Sequence, residues 1–245
     1  MLSYRETILP ELRAWQKQMN RSPSIVNTLS KKVQDKINTF IPEKVHNAIT
    51  RAIKEMVRGV LFGAMHTSFK ADRNIGIEQV EVRVQERIKF YKHTAAAEGG
   101  ITGAGGIILA IADFPLLLTI KMKMLFDIAS LYGFDVNDYK ERLYILHIFQ
   151  LAFSSQQQRQ KVYLQMTSWE QKKHDLPSDI NQFEWRTFQQ EYRDYIDLAK
   201  LAQLIPGIGA VVGVVVNYRL LKKLGTTAMN AYRMRWMEKN QLEQQ

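Results

Sequence analysis

The chain has 245 residues, enough for one large domain or two small ones at roughly 100–200 residues each. It is 46% hydrophobic and 24% charged, with a net charge of +10, so it can bury a core and is neither a disordered tail nor a polytopic transporter. It contains no cysteine, which excludes disulfides, thiolate metal sites, iron–sulfur clusters and a cysteine nucleophile, and suits a reducing compartment.

Met1–Leu12 holds two glutamates and no apolar run of the length that export needs. It does not read as a signal peptide, and the expected place is the cytosol or the cytosolic face of a membrane. From there the apolar periodicity is helical nearly throughout. Leu12, Trp15 and Met19 step by three and four; Leu29, Val33 and Ile37 step by four after Ser22-Pro23-Ser24. Past Pro42, Val45, Ile49, Ile53, Met56 and Val60 make a long stripe, and Val80, Val84, Ile88 and Tyr91 make another. These stripes predict one-sided helices packed on a core. No strand alternation bounded by turn residues is present, which argues against a parallel sheet.

Composition changes at residues 95–112, AAAEGGITGAGGIILAIA, where Gly99, Gly100, Gly103, Gly105 and Gly106 fall within eight positions. Asp113-Phe114-Pro115 follows, then the apolar Leu116–Ile120. Asp113 predicts a helix N-cap, since Pro115 suits a first helical turn; pairing with a base such as Arg219, or a functional acid, are the alternatives for a carboxylate inside an apolar run. Tyr132-Gly133-Phe134-Asp135 predicts a helix stop. Asp138 predicts the N-cap of a helix through Phe153 with Leu143, Leu146, Phe149 and Phe153 on one side. Val162, Met166 and Trp169 continue the helical pattern, residues 172–181 read as a polar loop, and a further helix is expected over Phe183–Gln203. The second composition shift is Leu204–Val216, carrying Gly207, Gly209 and Gly213, and it runs into a basic amphipathic tail through Met237.

The two glycine-rich blocks match at a constant offset of 104: Ile101, Gly103, Gly105, Asp113 and Phe114 align with Ile205, Gly207, Gly209, Asn217 and Tyr218. A glycine inside a helix costs about 1 kcal/mol relative to alanine. Close helix–helix approach offsets that cost, so these glycines predict two pseudo-repeated hairpins sharing an interface. Neither block reads as a transmembrane span, which needs about 20 predominantly apolar residues. Asp113 and Pro115 interrupt the first, and the second is short.

Charge is uneven. Residues 1–93 carry +8, residues 94–150 carry −2, residues 151–203 are neutral and residues 204–245 carry +4. Such a balance favours an anionic partner, a membrane leaflet among them, although it also serves as a solubilising surface. In the tail, Lys222, Lys223, Arg233, Arg235 and Trp236 mix cations with aromatics, as an interfacial helix does. No P-loop, no G-x-S-x-G elbow and no nucleic-acid module occurs. Glu43-x-x-His46 has di-metal ligand spacing but lacks the second copy such a site needs. No metal or cofactor is expected.

Several pieces together resemble the EcsC protein family, a bacterial family named from an operon that also encodes an ABC transporter. They are Leu12-x-x-Trp15, Ile41-Pro42-Glu43-Lys44-Val45-His46, Gly99 through Ala112-Asp113-Phe114-Pro115, Tyr132-Gly133-Phe134-Asp135 and Val216-Asn217-Tyr218-Arg219. The resemblance implies a mostly helical protein linked to an ABC exporter. It brings no established activity, and so carries over only the signature positions Asp113, Pro115, Asn217 and Arg219. The expected fold is all-α, one domain over 1–245: basic amphipathic helices (1–93), a first glycine-rich hairpin (94–135), connecting helices (136–203), then a second hairpin and basic tail (204–245). The expected function is that of a non-catalytic accessory protein, cytoplasmic and peripheral to the inner face of the membrane. Its expected partners are an anionic membrane surface and ABC transporter components, not nucleic acid. The alternatives are a hydrolase or transferase acting on lipid or peptide through Asp113, and a nucleic-acid-binding protein.

Overall fold

A computed structural model of the chain describes residues 4–21, 43–62, 75–102, 106–154, 158–184, 186, 188 and 213–242, with the backbone path alone at 45–46, 95–102, 106–113, 213–217 and 241–242. Among these residues the regular elements are all helical: α1 (Tyr4–Met19), α2 (Glu43–Phe62), α3 (Ile77–Thr102), α4 (Gly106–Leu131), α5 (Tyr139–Phe153), α6 (Arg159–Met166), α7 (Trp169–Lys172), a 3-10 turn (Ile180–Gln182) and α8 (Gly213–Leu242).

The predicted stripes are the buried faces. Leu12, Trp15 and Met19 of α1 are buried together with Ile8; so are Ile49, Ile53, Met56 and Val60 of α2, and Val80, Val84, Ile88 and Tyr91 of α3. The helix stop is where the sequence puts it. α4 ends at Leu131, Gly133 takes φ 86°, and the Phe134 and Gly133 amides donate back to the carbonyls of Ala129 (3.1 Å) and Ser130 (3.0 Å). That left-handed conformation suits glycine because it has no Cβ to clash. Asp138 caps α5, its side chain accepting from the Lys140 amide at 2.9 Å. The helices expected over Leu29–Ile37 and most of Phe183–Gln203 lie outside the described residues.

Three long helices form the frame. α3 and α4 run antiparallel, with Arg87 of α3 on Asp127 of α4 at 2.9 Å. α8 runs antiparallel to α3: Lys92 lies against Tyr218, Ile88 against Gly225 and Glu81 against Arg233. Gly103–Gly105 falls between α3 and α4, while residues 204–212 lie outside the described residues. The pseudo-two-fold and any packing of Gly103 on Gly207 therefore fall outside as well. Within the described part of 204–245 the chain is one continuous helix.

The close approach that glycine permits is found at Gly225, which the glycine-block pattern passes over. A Cβ there would sit 2.8 Å from both Cγ1 and Cδ1 of Ile88 and 2.9 Å from Cγ2.

α5 departs from the one-sided expectation. It packs on α2, α4, α6 and α8, and every residue but Lys140 is buried. Its polar members survive burial by being satisfied. Arg142 donates through Nε and Nη2 to the Leu61 carbonyl (3.2 and 3.0 Å), closing the end of α2. His147 places Nδ1 3.2 Å from Gln150 Oε1.

Burial pushes the His147 imidazole down to about 4 from its usual 6.5. The unfolded chain then binds a proton near pH 6.5 that the folded chain refuses until about 4, so stability falls as pH drops through that window. At about pH 5 the loss attributable to His147 is about 2 kcal/mol. Urea unfolding at neutral pH and at about pH 5 should show a His147→Gln variant losing less stability on acidification than wild type, by about that amount. Equal acid losses in the two proteins would contradict the assignment.

Candidate functional site

The antiparallel register of α3, α4 and α8 brings three chain ends together: the end of α3, the start of α4 and the start of α8. Residues 93–102, 106–120 and 213–217 of these ends are rich in glycine, alanine and aliphatics, with Glu98 and Asp113 as their charged residues. Just behind these ends stand cations on all three helices. Lys89, Lys123, Arg219 and Lys222 are exposed, and the Lys92 ammonium sits 4.2 Å from the Tyr218 ring centroid. In the α3–α4 register Lys123 falls level with Lys92. Tyr218 is 42% exposed and Phe90 is 52% exposed. A hydrogen bond from Lys92, with the charges of Lys222 and Lys89 beside it, holds the Tyr218 phenol below its usual value. This is a collar of cations and aromatic rings around a small-residue, apolar helix end. Such a collar attracts anions, and its rings tolerate a boundary between water and an apolar phase.

Two cations assigned to a surface by the sequence pattern lie in the core instead. Arg233 and Arg235 are two positions apart, on opposite sides of α8, and that stretch of the helix is buried all round. Arg233 grips Glu81 bidentately, Nε on Oε1 at 2.7 Å and Nη2 on Oε2 at 2.5 Å, while Tyr4 (2.7 Å) and Tyr132 (3.2 Å) donate to the same carboxylate. Burial, with Glu81 adjacent, pushes the Tyr4 phenol up to about 12. Arg235, 1% exposed, donates to Glu141 (2.7 Å) and Glu170 (2.8 Å) and lies between the rings of Phe134 and Tyr144, 3.9 and 4.3 Å from their centroids. Tyr232 donates to the other Glu141 oxygen at 2.7 Å. Burial raises the Glu141 carboxyl even against the pull of Arg235. For Glu170, burial also pushes upward, but Arg235 and Lys173 outweigh it and the net displacement is downward. These are structural ion pairs tying α1, α3, α5, α7 and α8 together. Lys223 is likewise used internally, donating to the Ala152 carbonyl at 2.7 Å.

Against known proteins, the EcsC protein family profile matches residues 6–237. Protein EcsC of Bacillus subtilis (strain 168) is 44% identical over 94% of this chain and 95% of its own length. The chain belongs to the EcsC protein family. The uncharacterized protein YdbA of the same organism is 26% identical over 87% of this chain and 79% of its own length. No solved structure matches.

The signature positions carried over from EcsC proteins fall at the collared end. Asp113 is not a helix N-cap: α4 begins at Gly106, and Asp113 lies within it. The apolar residues 106–112 extend the helix backwards past the expected start, because nothing among them stops it. Pro115 is therefore also interior, with no N–H to offer the carbonyl four residues back. It is exposed and lines a cavity of about 570 Å3 between α2 and α4 with Ala52, Met56, Gly59 and Met122. Asn217 lies in the first turns of α8, and Arg219, two residues on, is exposed. The Asp113 and Asn217 side chains, and any contact between them or with Arg219, lie outside the described residues. So do the surroundings of Gly99, Gly100, Gly106 and Gly213, whose backbones are helical or begin a helix. Trp236 is partly buried against the core rather than projecting from it. Among the described residues no helix is long and apolar enough to cross a membrane.

Proposed function

We propose that this EcsC-family chain is a non-catalytic accessory protein that docks peripherally on the anionic, cytoplasmic face of the membrane, where it serves an ABC exporter. The observation that carries this reading is the collar. Lys89, Lys92, Lys123, Arg219 and Lys222, with Tyr218 and Phe90, surround the point where three apolar helix ends meet. The cations would meet lipid phosphates, the rings would sit at the headgroup level, and the glycine-rich ends would make shallow contact with the acyl boundary. The link to an exporter rests on the operon from which the family takes its name.

Flotation with lipid vesicles tests the docking. Wild type should bind anionic vesicles at low salt, bind zwitterionic ones far less, and be released as salt shortens the Debye length. Each cation near an anionic surface contributes roughly 1 kcal/mol, so replacing Lys89, Lys123 and Lys222 together by serine should weaken binding by roughly a hundredfold. These side chains are exposed, so the thermal midpoint should hold. Wild type that ignores anionic vesicles, or a triple variant that binds them as well as wild type does, would overturn the reading.

A further inference from the structure

A second cavity, of about 580 Å3, opens between α5, α6, α7 and the residues Leu176, Phe183 and Phe188, and draws none of the described residues of α3, α4 or α8. Its apolar lining comes from Leu143, Leu164, Leu176, Trp169, Phe183 and Phe188. The volume lies within the range of small-molecule sites, roughly 300–1,000 Å3.

Among the described residues, the charged ones that line it are Lys161 and Lys172, with no aspartate or glutamate. Lys172 donates to the Leu164 carbonyl at 2.6 Å, bracing one wall, and Lys161 is exposed. His147 presents its ring edge-on to Trp169 and Phe188, with centroids 5.8 and 5.4 Å apart, and so adds a ring to the wall. Trp169 is 5% exposed, yet its indole N–H is buried without an acceptor. That unmade donor is a cost of packing Trp169 into the wall. Leu164 remains half exposed, an apolar side chain in the wall.

From this we infer that the cavity binds an amphipathic organic anion of the fatty-carboxylate class, the alkyl chain against the leucines and rings and the carboxylate beside the lysines. The two lysines offer point charges for an anionic head. The aliphatic and aromatic lining suits a flexible alkyl body. This inference is independent of membrane docking.

Calorimetric titration of the full chain with dodecanoate, below its micelle concentration, tests it. Saturable binding at one equivalent is expected, weakening roughly tenfold for each two carbons removed from the chain. Dodecyltrimethylammonium, with the same tail and the opposite charge, should not bind. Lys161→Glu and Leu164→Asp change exposed side chains, and their combination should abolish binding at an unchanged thermal midpoint. The Lys89, Lys123 and Lys222 serine variant should bind dodecanoate like wild type, which separates this site from the collar. Absence of saturable binding, equal binding of the cationic analogue, or full affinity in the Lys161/Leu164 variant would overturn the inference. Affinity lost in the collar variant instead would place the amphiphile at the helix ends and overturn it equally.

Discussion

An Arg235→Met variant is expected to lose roughly 3–5 kcal/mol of stability at neutral pH, the cost of breaking a buried ion pair by removing one partner. Arg235 serves two carboxylates at once, Glu141 at 2.7 Å and Glu170 at 2.8 Å. Methionine fills part of the space between Phe134 and Tyr144 but leaves both acids without their shared cation. Lys173 stays on Glu170, and Tyr232 still donates to Glu141, so Glu141 is left the more exposed to the desolvation cost. Its carboxyl is already raised by burial and would rise further without Arg235. A raised acid costs stability above its unfolded value and recovers it as pH falls through the folded value. The gap between wild type and variant should therefore narrow as the solution is acidified. Arg235→Lys should rescue little, because one ammonium cannot bond both carboxylates from between the two rings as the guanidinium does. Urea unfolding of the three proteins at two pH values measures this. A Met variant within about 1 kcal/mol of wild type would show that the pair contributes no more than a surface bridge.

The second large effect is expected at Gly225. Any side chain there meets three atoms of Ile88 at 2.8–2.9 Å, well inside contact distance. Because those atoms include both branches at Cβ, rotating Ile88 exchanges one clash for another. Gly225→Ala gains about 1 kcal/mol in helix propensity, but overpacking costs about 1–3 kcal/mol. A net loss of about 1 kcal/mol is expected for alanine, and about 3 kcal/mol for the larger, branched Gly225→Val. Relief should come from the other side: Gly225→Ala should stabilise an Ile88→Ala background, where space has opened and the propensity gain remains. A double-mutant cycle that shows no coupling between positions 88 and 225 would refute the close approach. Since Lys92 and Tyr218 lie further along the same α3–α8 contact, the Val variant should also loosen the collar and weaken vesicle binding.

Both residues show how far the sequence could be read. The spacing of Val80, Val84, Ile88 and Tyr91 declares a buried face, since a helix repeats every 3.6 residues and apolar side chains leave water. Gly133 and Asp138 declare their own roles, because a helix stop and an N-cap are settled by neighbours in the chain. Gly225 lies well inside its helix, apart from Gly213 at the helix start and without the repetition that drew notice to the blocks at 99–106 and 207–213. Its role depends on Ile88, which nothing local identifies. Asp113 looked like a cap because Pro115 followed it, yet α4 continues back to Gly106.

By itself, then, the sequence determined an EcsC-family chain whose described elements are helices, the inward faces of α1, α2 and α3, and the helix boundaries around Gly133 and Asp138. Only the tertiary structure decided which cations face water. Arg233 and Arg235 share the tail's pattern with Lys222, but their carboxylates lie 152, 94 and 65 positions away at Glu81, Glu141 and Glu170. A charge can leave water only where opposite charge and hydrogen bonds replace its hydration, and such partners are assembled by packing rather than by neighbours in the chain. The cavity beside Trp169 has the same origin: α5, α6, α7 and Phe188 enclose it together, and none of them encodes it alone.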